Sequence, residues 1–235
     1  MNLCIDIGNT RLKYAFFQQQ ECIAEGFGLE ALEKALQQHR LLRVLYCAVA
    51  AEAGLQQLLE KHGLPANRLT AKTPLPFHLS YETPDTLGAD RLAVVAGAQA
   101  LFPAQPCLVI SCGTCITYNF LDASGTFAGG AISPGVPMRL RAMHTFTNRL
   151  PQAPMATSPQ LTGTTTEASL QTGAQLGAAL EINGFCERYQ QLYPQLRIIM
   201  TGGDMPMLLP HLKNSIFARP ALALEGLNAI INHES

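Results

Sequence analysis

Asp6, Gly8, Asn9, Thr10 and Lys13 crowd one short stretch, Leu3-Cys4-Ile5-Asp6-Ile7-Gly8-Asn9-Thr10-Arg11-Leu12-Lys13. These residue types suit the binding of a phosphorylated anion. Gly8 lets the backbone approach a bulky anion with no Cβ in the way. Asn9, Thr10 and the turn amides can donate hydrogen bonds to it, and Lys13 adds positive charge. Asp6 follows an apolar run, and an unpaired buried charge is costly. A carboxylate there implies an Arg or Lys partner, a capping role or a metal. Together the residues suggest a phosphate site with a magnesium-holding carboxylate. An ordinary hairpin turn with a capped Asp is the plain alternative, and the pentapeptide Asp6 to Thr10 does not decide between them.

The elements that must position these groups are legible from periodicity. Residues 3–5 read as a buried strand and residues 12–17 as its returning partner, so the loop joins two strands. No Gly-x-x-x-x-Gly-Lys-Ser/Thr occurs, which excludes a P-loop. Residues 21–26 suit a third strand, 29–39 a helix, 43–48 a strand and 51–61 a helix stopped by Gly63. Residues 72–88 are rich in Pro and Thr and read as a long, functional loop ahead of a helix over 90–101. After a boundary at 103–106, strands are expected at 107–110 and 115–121. Gly125, Gly129 and Gly130 punctuate the next segment. A helix at 136–147, an irregular loop at 148–163, one long helix over 166–190, a strand at 197–200, and helices at 205–213 and 222–233 complete the chain. Small residues (Gly173, Ala174, Gly177, Ala178) line one side of the long helix and suit close packing within one subunit or between two.

The motif around Asp6 has a counterpart. Leu108-Val109-Ile110-Ser111-Cys112-Gly113-Thr114 repeats its style at an offset of 105 residues. Each copy is an apolar strand, a polar residue, a Gly turn and a returning strand, followed by helices and a further strand. Duplication explains this better than chance, and two similar α/β halves, residues 1–104 and 105–235, would face each other across a cleft.

Bulk properties narrow the functional classes. The chain has 235 residues, is 48% hydrophobic and 14% charged, and carries a formal net charge of −1. It can bury a sizeable core and has no basic field, so a nucleic-acid backbone is not an expected partner. No apolar run approaches a membrane span and no signal-peptide pattern opens the chain, so a soluble, cytoplasmic protein is expected. Seven irregularly spaced cysteines fit a reducing compartment, with Cys4, Cys47 and Cys107 as small buried hydrophobes. Cys112-Gly113-Thr114-Cys115 is a Cys-x-x-Cys, but the following residues read as strand, not the helix that a redox motif opens, and no second pair exists for zinc. The six histidines offer no metal spacing.

Five motifs in order, Asp6-Ile7-Gly8-Asn9-Thr10, Gly88-Ala89-Asp90-Arg91, Gly113-Thr114, Gly129-Gly130-Ala131-Ile132-Ser133-Pro134-Gly135 and Thr201-Gly202-Gly203-Asp204, resemble type III pantothenate kinases, members of the acetate and sugar kinase/Hsp70/actin superfamily. The resemblance runs essentially end to end. It implies two ribonuclease-H-like halves with ATP in the cleft, phosphorylation of the primary hydroxyl of pantothenate as the first step toward coenzyme A, a homodimer, and a need for magnesium and a monovalent cation (potassium or ammonium). It further implies that Asp6 to Lys13, including Ile7, Arg11 and Leu12, together with Gly113 and Thr114, cradle the phosphates. On the same resemblance, Gly202 and Gly203 would lie against the adenosine and Asp6 would help hold magnesium. It likewise implies Asp90 as the catalytic base, Arg91 as the ligand of the substrate carboxylate, and Tyr81, Gly88, Ala89 and the partner subunit's copy of Thr166 as contacts to pantothenate.

Plainer readings accompany each residue. Asp90 suits a first-turn helix acid, Arg91 a surface arginine, Tyr81 a packing residue, Thr166 an N-cap, and Gly202-Gly203 a strand-to-helix turn. One departure stands out: the family's second hairpin reads Asp-x-Gly-Thr and uses that Asp for the monovalent cation, whereas this chain has Ser111, a neutral and weaker ligand. Rival functions are a non-catalytic nucleotide-binding regulator of the same fold and a kinase for another small hydroxy compound. Ser111 keeps the first alive, while Asp90, Arg91 and Tyr81 argue against it.

Overall fold

The computed structural model describes residues 1–39, 43–49, 51 and 53–233. In chain order the elements begin with β1 (Asn2–Ile7), β2 (Leu12–Gln18), β3 (Glu21–Phe27), α1 (Leu29–Leu36), β4 (Arg43–Ala48), α2 (Ala53–Lys61), β5 (Asn67–Arg68), β6 (His78–Leu79) and α3 (Ala89–Leu101). They continue with β7 (Cys107–Cys112), β8 (Cys115–Leu121), β9 (Thr126–Pro134), α4 (Val136–Thr145), α5 (Thr166–Leu192), β10 (Arg197–Thr201), α6 (Met205–Leu208), β11 (Phe217–Ala218) and α7 (Leu222–His233). Among the described residues no helix is long and apolar enough to cross a membrane.

Two compact units result, and they follow contacts rather than chain order. The first is Met1–Ala104, Leu121–Ala128 and Ala221–Ser235; the second is Gln105–Phe120 and Gly129–Pro220. The chain crosses between these units more than once, because α7 and residues 121–128 belong with the N-terminal unit. The physical reason for α7 is its close crossing with α3: a Cβ on Gly226 would collide with the Ala93 carbonyl, so the two helix backbones meet at a glycine.

The first unit holds a sheet of order β3-β2-β1-β4-β5. β1 pairs antiparallel with β2 and parallel with β4. Alternation sorts the side chains. Leu3, Ile5 and Ile7 join Tyr14, Phe16, Val44 and Tyr46 in a core closed by Leu32 and Leu36 of α1 and Leu55, Leu58 and Leu59 of α2. Burying each such side chain contributes about 1.5–3 kcal/mol. The opposite face of β1 carries Asn2, Cys4 and Asp6, and there Asn2 Nδ2 donates to Asn228 Oδ1 of α7 at 2.8 Å.

The second unit repeats the plan as β11-β10-β7-β8-β9, with β7 and β10 parallel. The expected counterpart of β1 is met element by element, since β7 lies 105 residues on with the same length and burial pattern, and Ser111 takes the half-buried place that Asp6 holds in β1. The two hairpins differ at the turn, which has four residues (8–11) in the first and two (113–114) in the second. α5 packs Leu170, Ala174, Ala178, Ile182 and Cys186 into the second core. The small-residue side of α5 divides, Ala174 and Ala178 inward and Gly173 outward.

Several boundaries depart from the sequence expectation. The glycine-punctuated segment forms the nine-residue strand β9, because pairing in the sheet overrides the low strand propensity of Gly129 and Gly130. The loop at 72–88 contains β6, which pairs with Thr126 and Phe127 of β9. The helix expected over 205–213 stops at Leu208 and tightens into a 3₁₀ turn, Leu209–His211, where Pro210 has no amide hydrogen to extend it. The helix expected from 51 starts at Ala53, and residue 52 lies outside the described residues.

Candidate active site

In the first unit the site is built at the C-terminal end of β1. Asp6 stands in register with Lys13 of β2 on one side and Cys47 of β4 on the other. Cross-strand partners share a face, so the three side chains form a row across the sheet. Cys47 Sγ donates to Asp6 Oδ1 at 3.3 Å. Burial raises the Asp6 carboxyl above the ordinary carboxylate range, opposed by the Cys47 hydrogen bond and the Lys13 charge, and the Asp90 carboxylate raises it further. Ile7 turns into the core at 6% exposure. The turn closes with the Gly8 amide donating to the Arg11 carbonyl at 3.2 Å. Asn9, Thr10 and Arg11 are exposed, and the Arg11 guanidinium lies over the Phe27 ring at 5.4 Å. Leu12 and Lys13 open β2 half-buried.

Asp90 comes to the same unit from the start of α3. Gly88 is the N-cap residue, Ala89 the first helical residue and Asp90 the second. A first-turn acid is favoured by the helix dipole. Burial nevertheless raises its carboxyl, while hydrogen bonds from the Arg91 and Asp90 amides and the Arg91 charge pull it back. Arg91 is no surface arginine: it is 4% exposed. Its guanidinium lies 5.8 Å from the Tyr81 ring and 5.7 Å from the Phe127 ring. Those two rings stack with centroids 6.5 Å apart. A planar cation held against two aromatic faces is oriented and weakly solvated, which suits it to a planar carboxylate.

In the second unit Ser111 is the next-to-last residue of β7 and Gly113-Thr114 forms the turn into β8, with the Gly113 amide donating to the Cys115 carbonyl at 3.0 Å. Ser111 pairs with Thr201 across the parallel β7–β10 ladder. Gly202 follows with φ of 101°, and a Cβ there would strike the Cys112 backbone. The Asp204 amide donates to the Cys112 carbonyl at 3.0 Å. The Gly113-Thr114 and Gly202-Gly203 turns are thus stitched together by backbone. Gly135 closes against the same hairpin: its amide donates to the Thr114 carbonyl at 3.0 Å, and a Cβ on it would collide with the Gly113 carbonyl. Thr166 is exposed at the first position of α5, and the cap is Thr165, whose Oγ1 accepts from the Ala168 amide at 3.1 Å.

Burial, helped by Asp204 and Cys186, pushes the Cys112 thiol up to about 12, which leaves it inert as a thiolate nucleophile. All seven cysteines are free thiols. Among the described residues no three His, Cys, Asp or Glu side chains gather to hold a metal ion. Magnesium uses one or two carboxylates together with substrate phosphates and water, and Asp6 is a carboxylate of the kind it would take. Ser111 offers only a neutral oxygen to a monovalent cation.

Sequence reasoning missed three participants. Cys47 reads as a small buried hydrophobe, and only the β1–β4 register shows it beside Asp6. Phe127 sits in the strand concealed by glycines. Glu181 of α5 accepts from Tyr118 Oη at 2.8 Å, from Ser133 Oγ at 2.5 Å and from Arg139 Nη2 at 2.5 Å. Its one signal is a lone acid among the buried positions Ala178, Ala179 and Ile182.

The fold resembles solved kinases at low identity. A ROK family glucokinase from Streptomyces griseus, in complex with glucose and AMPPNP, superposes with a TM-score of 0.53 over 99% of this chain and 98% of that one, at 11% identity. Sequence relatives are far nearer. A type III pantothenate kinase of Bacteroides fragilis is 40% identical over 100% of this chain and 99% of its own length. One of Christiangramia forsetii is 38% identical over 98% of each. The family model for type III pantothenate kinases matches residues 2–188. With four-fifths of its length matched and its relatives aligned end to end, this chain belongs to the type III pantothenate kinase family.

Proposed function

We propose that this chain transfers the γ-phosphoryl group of ATP to the primary hydroxyl of pantothenate, the first step of coenzyme A biosynthesis. The observation that carries the reading is the grouping of Asp6, Asp90, Arg91 and Tyr81 in one unit of a chain whose full-length relatives are named type III pantothenate kinases. Phosphoryl transfer to an alcohol needs a phosphate cradle, charge compensation and an acceptor for the hydroxyl proton. Asp6 to Lys13 in the first unit and Gly113-Thr114 in the second are each suited to binding phosphate, and Gly202-Gly203 of the second to lying along the adenosine. Arg91, braced by Tyr81 and Phe127, clamps the pantothenate carboxylate. Gly88 and Ala89, which precede Asp90 at the start of α3, contact the same substrate. Asp90 orients the hydroxyl and accepts its proton late in a loose transition state. Magnesium, when bound at Asp6, supplies compensation for phosphate charge.

A homodimer completes the site, with Thr166 reaching the partner's pantothenate. Ile132, Phe146, Leu161 and Leu180 of the second unit are 61–85% exposed, apolar side chains available to a second copy. The free thiols and the nature of the substrates favour a cytoplasmic setting. Ser111 weakens the monovalent-cation site without removing its backbone oxygens.

The deciding experiment is ADP release from the purified chain with ATP, magnesium and pantothenate, with and without potassium or ammonium. Pantothenate-dependent turnover supports the reading, and dependence on the cation supports the ion site at Ser111. ATP binding without turnover under any cation would return the chain to the regulatory alternative.

A further inference from the structure

Glu181 sits midway along α5, a helix that otherwise gives its second unit a core of Leu, Ala and Ile. A carboxylate in such a place is costly unless it is fully bonded. Glu181 is bonded from three elements: by Tyr118 of β8, by Ser133 of β9 and by Arg139 of α4. Arg139 also donates through Nε to the Pro134 carbonyl at 2.8 Å and lies 3.5 Å from Ser133 Oγ. Glu181 and Arg139 therefore grip Ser133 and Pro134 from both sides. The next residue is Gly135, whose amide donates to the Thr114 carbonyl and whose Cα faces the Gly113 carbonyl too closely for any side chain.

We infer that Glu181 is a positioning residue for the nucleotide: with Arg139 it holds Ser133-Pro134-Gly135 against Gly113-Thr114 and so sets the shape of the second phosphate turn. The inference rests on the reading of Gly113-Thr114 as a phosphate cradle. The relay is short and made of defined contacts, carboxylate to Ser133 hydroxyl, then one intervening residue, Pro134, then the Gly135 backbone on the turn. The ion pair is half-buried, at 20% and 26% side-chain exposure, so it is screened less than a surface pair. The three donors hold the Glu181 carboxyl below the usual carboxylate range despite its burial, so the grip is intact throughout neutral pH.

The test is calorimetric binding of a non-hydrolysable ATP analogue with magnesium to the full chain and to Glu181→Ala, Glu181→Gln and Arg139→Lys, alongside KM for ATP and for pantothenate and the thermal midpoint of each variant. Glu181→Ala is expected to weaken the analogue about tenfold, the scale of one charge-assisted hydrogen bond, and to raise KM for ATP in step. KM for pantothenate stays within about twofold, since Tyr81, Gly88, Ala89, Asp90 and Arg91 lie in the other unit and Thr166 stands at the far N-terminal end of α5 from Glu181. Glu181→Gln still accepts from Tyr118 and Ser133 and falls between. Should Glu181→Ala fail to fold, Arg139→Lys, which keeps the charge but loses the fork, carries the comparison. Folded variants that bind the analogue like the parent, or that lose ATP and pantothenate equally, would overturn the inference. Analogue binding is read without turnover. A parent chain that binds it but leaves pantothenate untouched counts against the proposed function, and the variants still decide the role of Glu181.

Discussion

Cys47 donates its thiol hydrogen to Asp6 Oδ1 across the parallel β1–β4 pair, at 3.3 Å and in strict register. A fully buried thiol is thereby the direct neighbour of the carboxylate proposed to hold magnesium. Residues that bond a metal-holding carboxylate orient it and tune its affinity. Cys47→Ala is expected to raise the half-saturating magnesium concentration roughly threefold to tenfold, with KM for pantothenate unchanged. Cys47→Ser, which can still donate, recovers most of the loss. A magnesium titration of turnover reads both.

Asp90 makes a pH prediction. Its carboxyl is raised chiefly by burial, so the folded chain holds that proton to higher pH than the unfolded chain does. Between the ordinary and the raised value the native state binds more protons, so this group's contribution to stability falls as pH rises through that window. Asp90→Asn removes the charge, and its unfolding midpoint at neutral pH is expected to match or exceed the parent's. Its turnover drops about 10²- to 10⁴-fold, the usual worth of a general base. In the parent, kcat/KM declines as pH falls through the raised value, because the base must be ionised; the residual activity of Asp90→Asn lacks that acid limb.

Arg91 is packed against Tyr81 and Phe127 and is expected to act through a planar fork. Arg91→Lys keeps the charge and loses the two-pronged geometry. KM for pantothenate should rise about 10- to 100-fold, the scale of one or two charge-assisted hydrogen bonds. Steady-state kinetics against both substrates check this, with KM for ATP as the internal control.

Gly202 combines a φ of 101° with backbone contact to Cys112. Gly202→Ala must strain the turn or push the two loops apart, at a cost of about 1–3 kcal/mol. A lower thermal midpoint and weaker nucleotide binding are expected together, while Gly203→Ala, with open space at its Cβ, should be milder.

Much of the fold is legible in the sequence. Apolar runs of three residues (3–5) and four residues (107–110), each followed by a polar residue and, two positions on, a Gly, mark β1 and β7, and their 105-residue spacing marks the repeat, because a buried strand and its turn carry their chemistry locally. The strand β9 was not legible, since Gly129 and Gly130 speak against a strand and only pairing within the sheet makes one. Nor was the helix break at Pro210, where the apolar spacing continues past the last α-helical turn.

For the candidate site the division is similar. Sequence alone determined the residue types at the turns and at the start of α3: Asp6, Gly8, Asp90, Arg91, Gly113, Gly202. Each is set by local needs, a glycine for a close approach, an acid at a helix start, a polar residue ending a buried strand. Tertiary structure alone decided their partners. Cys47 meets Asp6 through strand register, Phe127 meets Arg91 through a strand far along the chain, and Glu181 reaches Ser133 and Arg139 from a helix more than forty residues on. Such pairings depend on which strands pair and which helix faces meet, and burial energy summed over a whole unit sets that, with no trace in the neighbouring residues.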